Sequence, residues 1–398
     1  MCGILGYYSL RNKTEKIKKK FDVAFKILKT RGPDQSGKYI GKKILLGNTR
    51  LSIVSNKKIQ LPFKKHNCIV SFNGEIFNYK EIRNELISNG YSFTTNTDTE
   101  VILSAYNYYG KSFVKKLRGF FAISIYDILI DKVILIRDRF GNKPLYYSLK
   151  NKNLIFSSTQ SSLIKSRLVE FIPNESKFND FIVFGDTTGL GTTLHKNISN
   201  VPPATLLIFD GKTLKKEEYY KIENILNVKD NFSKKNEEKS RDYLIKNLEE
   251  TVKYWSLDYK DNISTLLSGG LDSSLITILA SKTNKIKNTF TLNFIDQKSI
   301  NELNEARYLS KKINASNKDI KVSSKNIFLN LSKIYSNFDE PVPSNSLLMY
   351  KIMHQISKNS KTKVVLTGDG SDEIFGGYQR HKIVYKKFSK SKKIEDIA

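Results

Sequence analysis

A strand that opens almost at the first residue constrains this chain most. Ile4 to Leu10 is apolar and β-compatible from its start, so a sheet must begin at the terminus and pin Met1-Cys2-Gly3 against it. Chain ends that are not tied down in this way usually fray. With Met1 removed, as is usual before a small second residue, Cys2 carries both a thiol and a free α-amine. That amine, with an ordinary pKa of about 7.7–8.0, can act as a base near neutral pH. The thiolate is the reactive form of sulfur, so a single residue offers a nucleophile together with its base.

The first half continues as strands separated by polar turns. Phe21 to Leu28 has helical spacing and stops at Arg31-Gly32-Pro33-Asp34, a strong turn signal. Ile44-Leu45-Leu46 leads into Asn48-Thr49-Arg50-Leu51-Ser52-Ile53-Val54, and Cys68 to Phe72 reads as a short strand closing at Asn73-Gly74-Glu75. Asn-Gly is the usual pair of a hairpin turn. A helix is expected from about Tyr79 to Asn89, and a second from an N-cap at Asp98, with Thr99 and Glu100 in its first turn, to Gly110. Ala122 to Tyr126 and Val133 to Ile136 form a hairpin, and Leu145-Tyr146-Tyr147 extends the β pattern. Many strands with few helices predict a layered α+β domain.

The bulk numbers narrow the class. A length of 398 residues with 39% hydrophobic content supports two or three domains with true cores. The net charge of +28 is spread through every segment as Lys interleaved with Asn and Ile. It forms no single basic tract, which argues against a specific nucleic-acid footprint. Cys2 and Cys68 are the only cysteines, so there is neither a disulfide framework nor a Cys-based zinc site, and a reducing cytoplasm fits. His66, His195, His354 and His381 stand in no metal or triad spacing. No secretory signal is visible. The apolar run Phe120 to Ile136 is broken by Asp127, Asp131 and Lys132 and reads as two strands, not a membrane span.

After a charged stretch from Lys212 to Lys239, the pattern changes. Arg241 to Trp255 is amphipathic, with Leu244, Leu248, Val252 and Trp255 on one side. Ile263 to Leu267 is a buried strand, Ser268-Gly269-Gly270-Leu271-Asp272-Ser273-Ser274 a tight turn, and Leu275 to Ala280 the start of a helix. Strand, Gly-rich turn and helix together aim backbone N–H groups and a helix dipole at an anion. No Walker lysine is present, which weakens a kinase or GTPase reading. Further strands, Thr289 to Phe294 and Val364 to Leu366, alternate with helices. The last strand ends in Thr367-Gly368-Asp369-Gly370-Ser371-Asp372-Glu373, followed by Gly376-Gly377-Tyr378. Alternation predicts a parallel, doubly wound sheet with ligands at the carboxyl ends of its strands.

Taken in order, Met1-Cys2-Gly3-Ile4, Arg31-Gly32-Pro33-Asp34, Arg50-Leu51-Ser52-Ile53-Val54, the run Phe72 to Tyr79, Thr97-Asp98-Thr99-Glu100 and the run Arg137 to Tyr147 resemble the class II glutamine amidotransferase domain. The Ser268–Ser274 turn resembles the pyrophosphate loop of ATP pyrophosphatases. Joined on one chain, the two resemble the glutamine-hydrolysing asparagine synthetase family. The resemblance implies an α+β N-terminal-nucleophile sandwich of two stacked antiparallel sheets with helices over residues 2–207. A linker at 208–239 and an α/β doubly wound ATP-binding domain at 240–398 would follow. It assigns catalysis to Cys2, with Asn73 and Gly74 as oxyanion donors. Arg50, Leu51, Ile53, Asn73, Gly74, Glu75 and Asp98 would bind glutamine, Arg50 taking the α-carboxylate and Asp98 the α-ammonium. Leu267, Ser268, Gly269, Gly270, Asp272, Ser273, Ser274, Thr367 and Gly368 would bind ATP, and Asp369, Asp372 and Glu373 would form an acidic synthetase site. Asp272 and Asp372 are the implied Mg2+ ligands.

The implied reaction hydrolyses glutamine, activates aspartate as β-aspartyl-AMP and passes ammonia through an internal tunnel to form asparagine, AMP and pyrophosphate. The resemblance also implies a homodimer acting on glutamine, aspartate and ATP, with no membrane partner. The family ordinarily continues well beyond the Gly-Gly-Tyr motif, so a C-terminally truncated synthetase half is expected. Other readings stay open at this stage. These are a related amidotransferase for another carboxylate, a form retaining only glutaminase activity, and a basic nucleic-acid or scaffold protein on a decayed enzyme fold.

Overall fold

The computed structural model describes residues 1–398 apart from 12–13, 54–57, 186–190, 224–236, 257–262, 285, 297–301, 343, 361 and 389–398. Val54 and part of the expected linker therefore lie outside the described residues. The chain divides into two compact units, Met1–Asn231 with Ser336–Pro343, and Phe232–Tyr335 with Ser344–Ala398.

In the first unit, β1 (Gly3–Tyr8), β2 (Gln35–Ile40), β3 (Ile44–Arg50), β8 (Tyr146–Lys150), β9 (Asn153–Ser157) and β10 (Ser199–Asn200) form one sheet in the order β10-β8-β9-β1-β3-β2. The second sheet contains β4 (Phe63–Lys65), β5 (Cys68–Ile76), β6 (Gly119–Asp127), β7 (Lys132–Arg137), β11 (Thr205–Phe209) and β12 (Leu214–Glu218), ordered β12-β11-β7-β6-β5-β4. Every paired neighbour in both sheets is antiparallel.

The alternation of side chains across each strand builds four layers. Leu5, Tyr7 and Leu45 pack outward on Phe21, Phe25 and Leu28 of the helix Glu15–Leu28. Ile4, Tyr8, Ile44 and Leu46 meet Ile69, Val133, Leu135 and Phe209 between the sheets. On the far side, Val70, Phe72 and Ile123 pack on Ile82 and Leu86 of Tyr79–Ser88 and Ile102 of Asp98–Tyr109. The result is a helix–sheet–sheet–helix sandwich, in keeping with the layered α+β domain the strand-rich sequence predicts and the two stacked sheets the resemblance implies. Because β1 lies inside its sheet and is buried along its whole length, Cys2 is held at the end of a fixed strand of the first unit.

Two local expectations come out differently. Asn73-Gly74 is no turn: β5 runs straight through it, pairing Asn73 with Ala122 and Gly74 with Phe121. The apolar alternation on both sides of the pair overrides its turn preference. Gly74 is nevertheless required, since its φ is +152° and a Cβ there would lie 2.0 Å from the Phe120 carbonyl oxygen. The charged stretch beginning at Lys212 contributes the edge strand β12, where Lys215, Lys216, Glu217 and Glu218 put charge on the sheet edge.

The second unit holds β13 (Ile263–Leu266), β14 (Asn288–Phe294), β15 (Ser316–Val322) and β16 (Val364–Leu366), all parallel, in the order β15-β14-β13-β16. Phe290, Ile320 and Val322 pack against Ile352 and Ile356 of the helix Ser344–Asn359. The chain order reverses at β13, which creates a switch point at its carboxyl end. Among the described residues no helix is long and apolar enough to cross a membrane.

Candidate active sites

The first site is assembled at the end of β1. Cys2 Sγ donates to the Leu51 carbonyl oxygen at 3.8 Å, and the Cys2 carbonyl oxygen accepts from Arg31 Nε at 3.0 Å. Cys2, Arg50, Leu51, Ile53, Gly74, Glu75 and Asp98 line one pocket together with Asn48, Leu61, Phe72 and Thr99. Asn73 lies outside that lining. It is 1% exposed, and its Nδ2 has no hydrogen-bond partner among the described residues. A buried donor left unpaired costs free energy unless something occupies it.

Burial, and then the charges of Glu75 and Asp98, push the Cys2 thiol above its ordinary range. The Met1 amino group is pushed down, chiefly by burial. Asp98 opens the helix Asp98–Tyr109 behind Thr97 at the N-cap position. Its Oδ2 accepts from Ile76 N at 3.2 Å. Burial pushes its carboxyl up to about 6, against the backbone donors Ile76 and Thr99 and the nearby Arg50 guanidinium.

Three supporting residues escaped the sequence reading. Asn48 clamps the two sheets together: its Nδ2 donates to Gly3 O at 2.8 Å and Phe72 O at 3.1 Å, and its Oδ1 accepts from Phe72 N at 3.3 Å. A polar residue ending an apolar strand run was its signal. Glu100, read only as a helix-start acid, accepts from Lys65 Nζ at 2.8 Å and from Thr94 and Thr95 N–H groups. Lys143 comes near enough to Glu75 and Cys2 to feel both charges, while burial lowers its ammonium pKa. The loop carrying it is held by Arg137, which donates to Lys143 O, Asn200 Oδ1, Val201 O and Gly141 O. Asp138 accepts from the Phe140, Asn142 and Lys143 amides.

The second site lies at the carboxyl ends of β13 and β16. Leu267, Ser268, Asp272, Ser273, Thr367, Gly368 and Asp369 line a pocket of about 200 Å³ with Leu266 and Leu292. Ser268 and Ser273 hydroxyls meet at 2.9 Å, and Gly269 takes a φ of +96° to make the turn. A Cβ on Gly368 would lie 2.9 Å from Ser273 N, so only glycine lets the two loops approach. Gly269, Gly270 and Ser274 belong to the turn and helix start but not to the lining.

Asp272 and Asp369 are brought together here, whereas Asp372 and Glu373 are not. Asp372 packs toward Gly377, and Glu373 accepts from Tyr378 Oη at 2.8 Å. Among the described residues no group of three or more His, Cys, Asp or Glu side chains could hold a metal by itself. Two carboxylates at the strand ends do fit an ion that arrives already bound to phosphates.

Comparison with known proteins agrees with both halves. A family model described as "Glutamine amidotransferase domain" matches residues 1–220, and one described as "Asparagine synthase" matches residues 246–395. Asparagine synthetase [glutamine-hydrolyzing] 1 of Bacillus subtilis is 30% identical over 95% of this chain and 59% of its own length. Asparagine synthetase [glutamine-hydrolyzing] 3 of the same organism is 26% identical over 95% of this chain and 63% of its own. The chain thus spans about three fifths of the length of these relatives. Among solved structures, the B. subtilis glutamine phosphoribosylpyrophosphate amidotransferase complexed with ADP and GMP matches with a TM-score of 0.41 and 16% identity, over 72% of this chain and 64% of that one. The chain belongs to the family of the glutamine amidotransferase domain, which spans residues 1–220, and carries an asparagine synthase region at residues 246–395.

Proposed function

We propose that this chain hydrolyses glutamine at Cys2 and directs the ammonia to an ATP-activated carboxylate, that of aspartate. The observation that carries this is the convergence of Cys2, Arg50, Gly74, Glu75 and Asp98, drawn from four separate stretches, on one pocket. Arg50 suits the glutamine α-carboxylate, and Asp98 suits the α-ammonium. The pocket is narrow, about 20 Å³.

With Met1 removed, the Cys2 α-amine takes the thiol proton, and the sulfur attacks the side-chain amide carbon. The developing oxyanion would be met by the Gly74 N–H and by the orphaned Asn73 Nδ2, which must turn from behind the lining to reach it. Collapse returns the proton to the leaving nitrogen, releases ammonia and leaves a γ-glutamyl thioester. Water then attacks the thioester, frees glutamate and restores the thiol.

In the second unit the Ser268–Ser274 turn would cradle ATP phosphates, and Asp272 with Asp369 would hold the magnesium ion that accompanies them and neutralises their charge. Asp372, the other expected ligand, lies outside the pocket lining. Attack of the aspartate carboxylate on the α-phosphorus would release pyrophosphate and give β-aspartyl-AMP. Ammonia displaces AMP from that intermediate to form asparagine.

The test follows glutamate and pyrophosphate together from purified chain supplied with glutamine, ATP and Mg2+, with and without aspartate. Aspartate-dependent pyrophosphate is expected. Pyrophosphate that ignores aspartate but responds to another carboxylate would replace the acceptor, and none with any acceptor would remove the synthetase step.

A further inference from the structure

The helix Gln160–Lys165 starts in the interior: Gln160 and Ser162 are both 0% exposed. Thr159 occupies its N-cap position yet makes no side-chain cap bond. The buried first amides need acceptors from elsewhere. They find them 179 residues away in sequence, where Asp339 Oδ2 accepts from Gln160 N at 2.7 Å and Oδ1 from Ser161 N at 2.9 Å. The next residue, Glu340, accepts through Oε1 from Leu194 N at 2.6 Å. Asp339 and Glu340 fall within the stretch matched to asparagine synthase, yet Ser336–Pro343 belongs to the compact unit that carries Cys2.

The capped helix start is wired to the nucleophile by short links. Ser158, directly before Thr159, accepts from Ile4 N through its Oγ at 3.0 Å and donates its own N–H to Ile4 O at 2.9 Å. Ile4 is two residues from Cys2 on the same strand. The neighbouring Ser157 pairs with Leu5, and its hydroxyl meets that of Ser162 at 2.8 Å. A second link is electrostatic. The Arg31 guanidinium that holds the Cys2 carbonyl has its pKa lowered by burial, and the Asp339 charge opposes that. The Asp339 charge also raises the pKa of Tyr146 and opposes the lowering of His195 by burial.

We infer that Asp339 and Glu340 are positioning residues for the Cys2 centre, an acidic strap that fixes the end of β1 by capping Gln160–Lys165 and bracing Leu194. The inference rests on Cys2 being the nucleophile. Orientation errors of about 1 Å at a reacting atom cost rate rather than affinity. The glutamine-binding groups Arg50 and Asp98 sit on other elements, so the strap acts on turnover.

Full-length Asp339→Ala, Asp339→Asn and Glu340→Gln variants are compared with wild type for glutaminase kcat and KM. The rate of Cys2 alkylation by iodoacetamide is read by peptide mass, and folding by far-ultraviolet circular dichroism. Asp339→Ala is expected to lower kcat about tenfold or more, to leave KM for glutamine within about twofold, and to change the Cys2 alkylation rate by a similar factor to kcat. Asp339→Asn, which keeps one acceptor, should recover part of both effects. Folded variants with wild-type kcat and alkylation rate would overturn the strap, as would a rise in KM alone. If Asp339→Ala fails to fold, Asp339→Asn and Glu340→Gln decide by the same readouts. The alkylation arm needs no turnover, so it separates failure of the strap from failure of the nucleophile assignment, which Cys2→Ala tests alone.

Discussion

At the scale of single residues, the pocket proposed for glutamine holds groups whose pKa values burial moves from their ordinary range. Asp98 is the clearest case, its carboxyl pushed up to about 6 by burial. Its sign follows directly. The folded chain favours the neutral acid, so this contribution to stability is full below the ordinary carboxylate pKa and is lost as pH rises through about 6. Binding the glutamine ammonium requires the ionised form. KM for glutamine is therefore expected to rise by about tenfold per unit as pH falls below 6, while Asp98→Asn gives a high KM with little slope over the same range. A wild-type KM flat between pH 5 and 7 would contradict the assignment, and steady-state kinetics with a coupled glutamate assay measures it. Cys2, Arg50, Gly74 and Asp98 were singled out in the sequence by the resemblance of their motifs to a known family, and the fold brings them to one pocket. Asn48 and Lys143 were not singled out, because their neighbours come from other strands and loops.

At the scale of elements, the helix Asp98–Tyr109 is held in place by Glu100. Burial pushes this carboxyl up, but the Lys65 ammonium and the Thr94 and Thr95 donors outweigh it and hold it down to about 2. Its stabilisation is present above the ordinary glutamate pKa and fades as pH falls toward 2. Glu100→Gln breaks the pair with Lys65, whose side chain is 16% exposed against 0% for Glu100. A loss of about 3 kcal/mol is expected, read as a lower urea midpoint at pH 7, with the gap from wild type closing below about pH 4.5. An unchanged midpoint at pH 7 would show that Glu100 does not anchor the helix. Strand and helix types followed from hydrophobic period, as in β1, β6 and β7. Asn73-Gly74 shows the limit: local turn preference lost to strand pairing with Ala122 and Phe121, which no window of neighbouring residues reveals.

Over the whole molecule, the two proposed chemistries are assigned to two architectures. The antiparallel sandwich fixes Cys2 at the head of its buried strand β1, and the parallel sheet opens a pocket at the switch point of β13. That division was legible as a change from strand-rich patterning to alternating strands and helices. The placement of Ser336–Pro343 with the first unit was hidden, because Asp339 and Glu340 precede a helix in sequence and reveal their role only through the amides of Gln160, Ser161 and Leu194. The central claim is that glutamine is cleaved by the residue at the head of β1. The most direct measurement is glutamate release from glutamine by the full chain with a processed N-terminus, beside Cys2→Ala prepared identically. Release by the first and none above background by the second is predicted. Equal release by both, or none by either, would contradict the account.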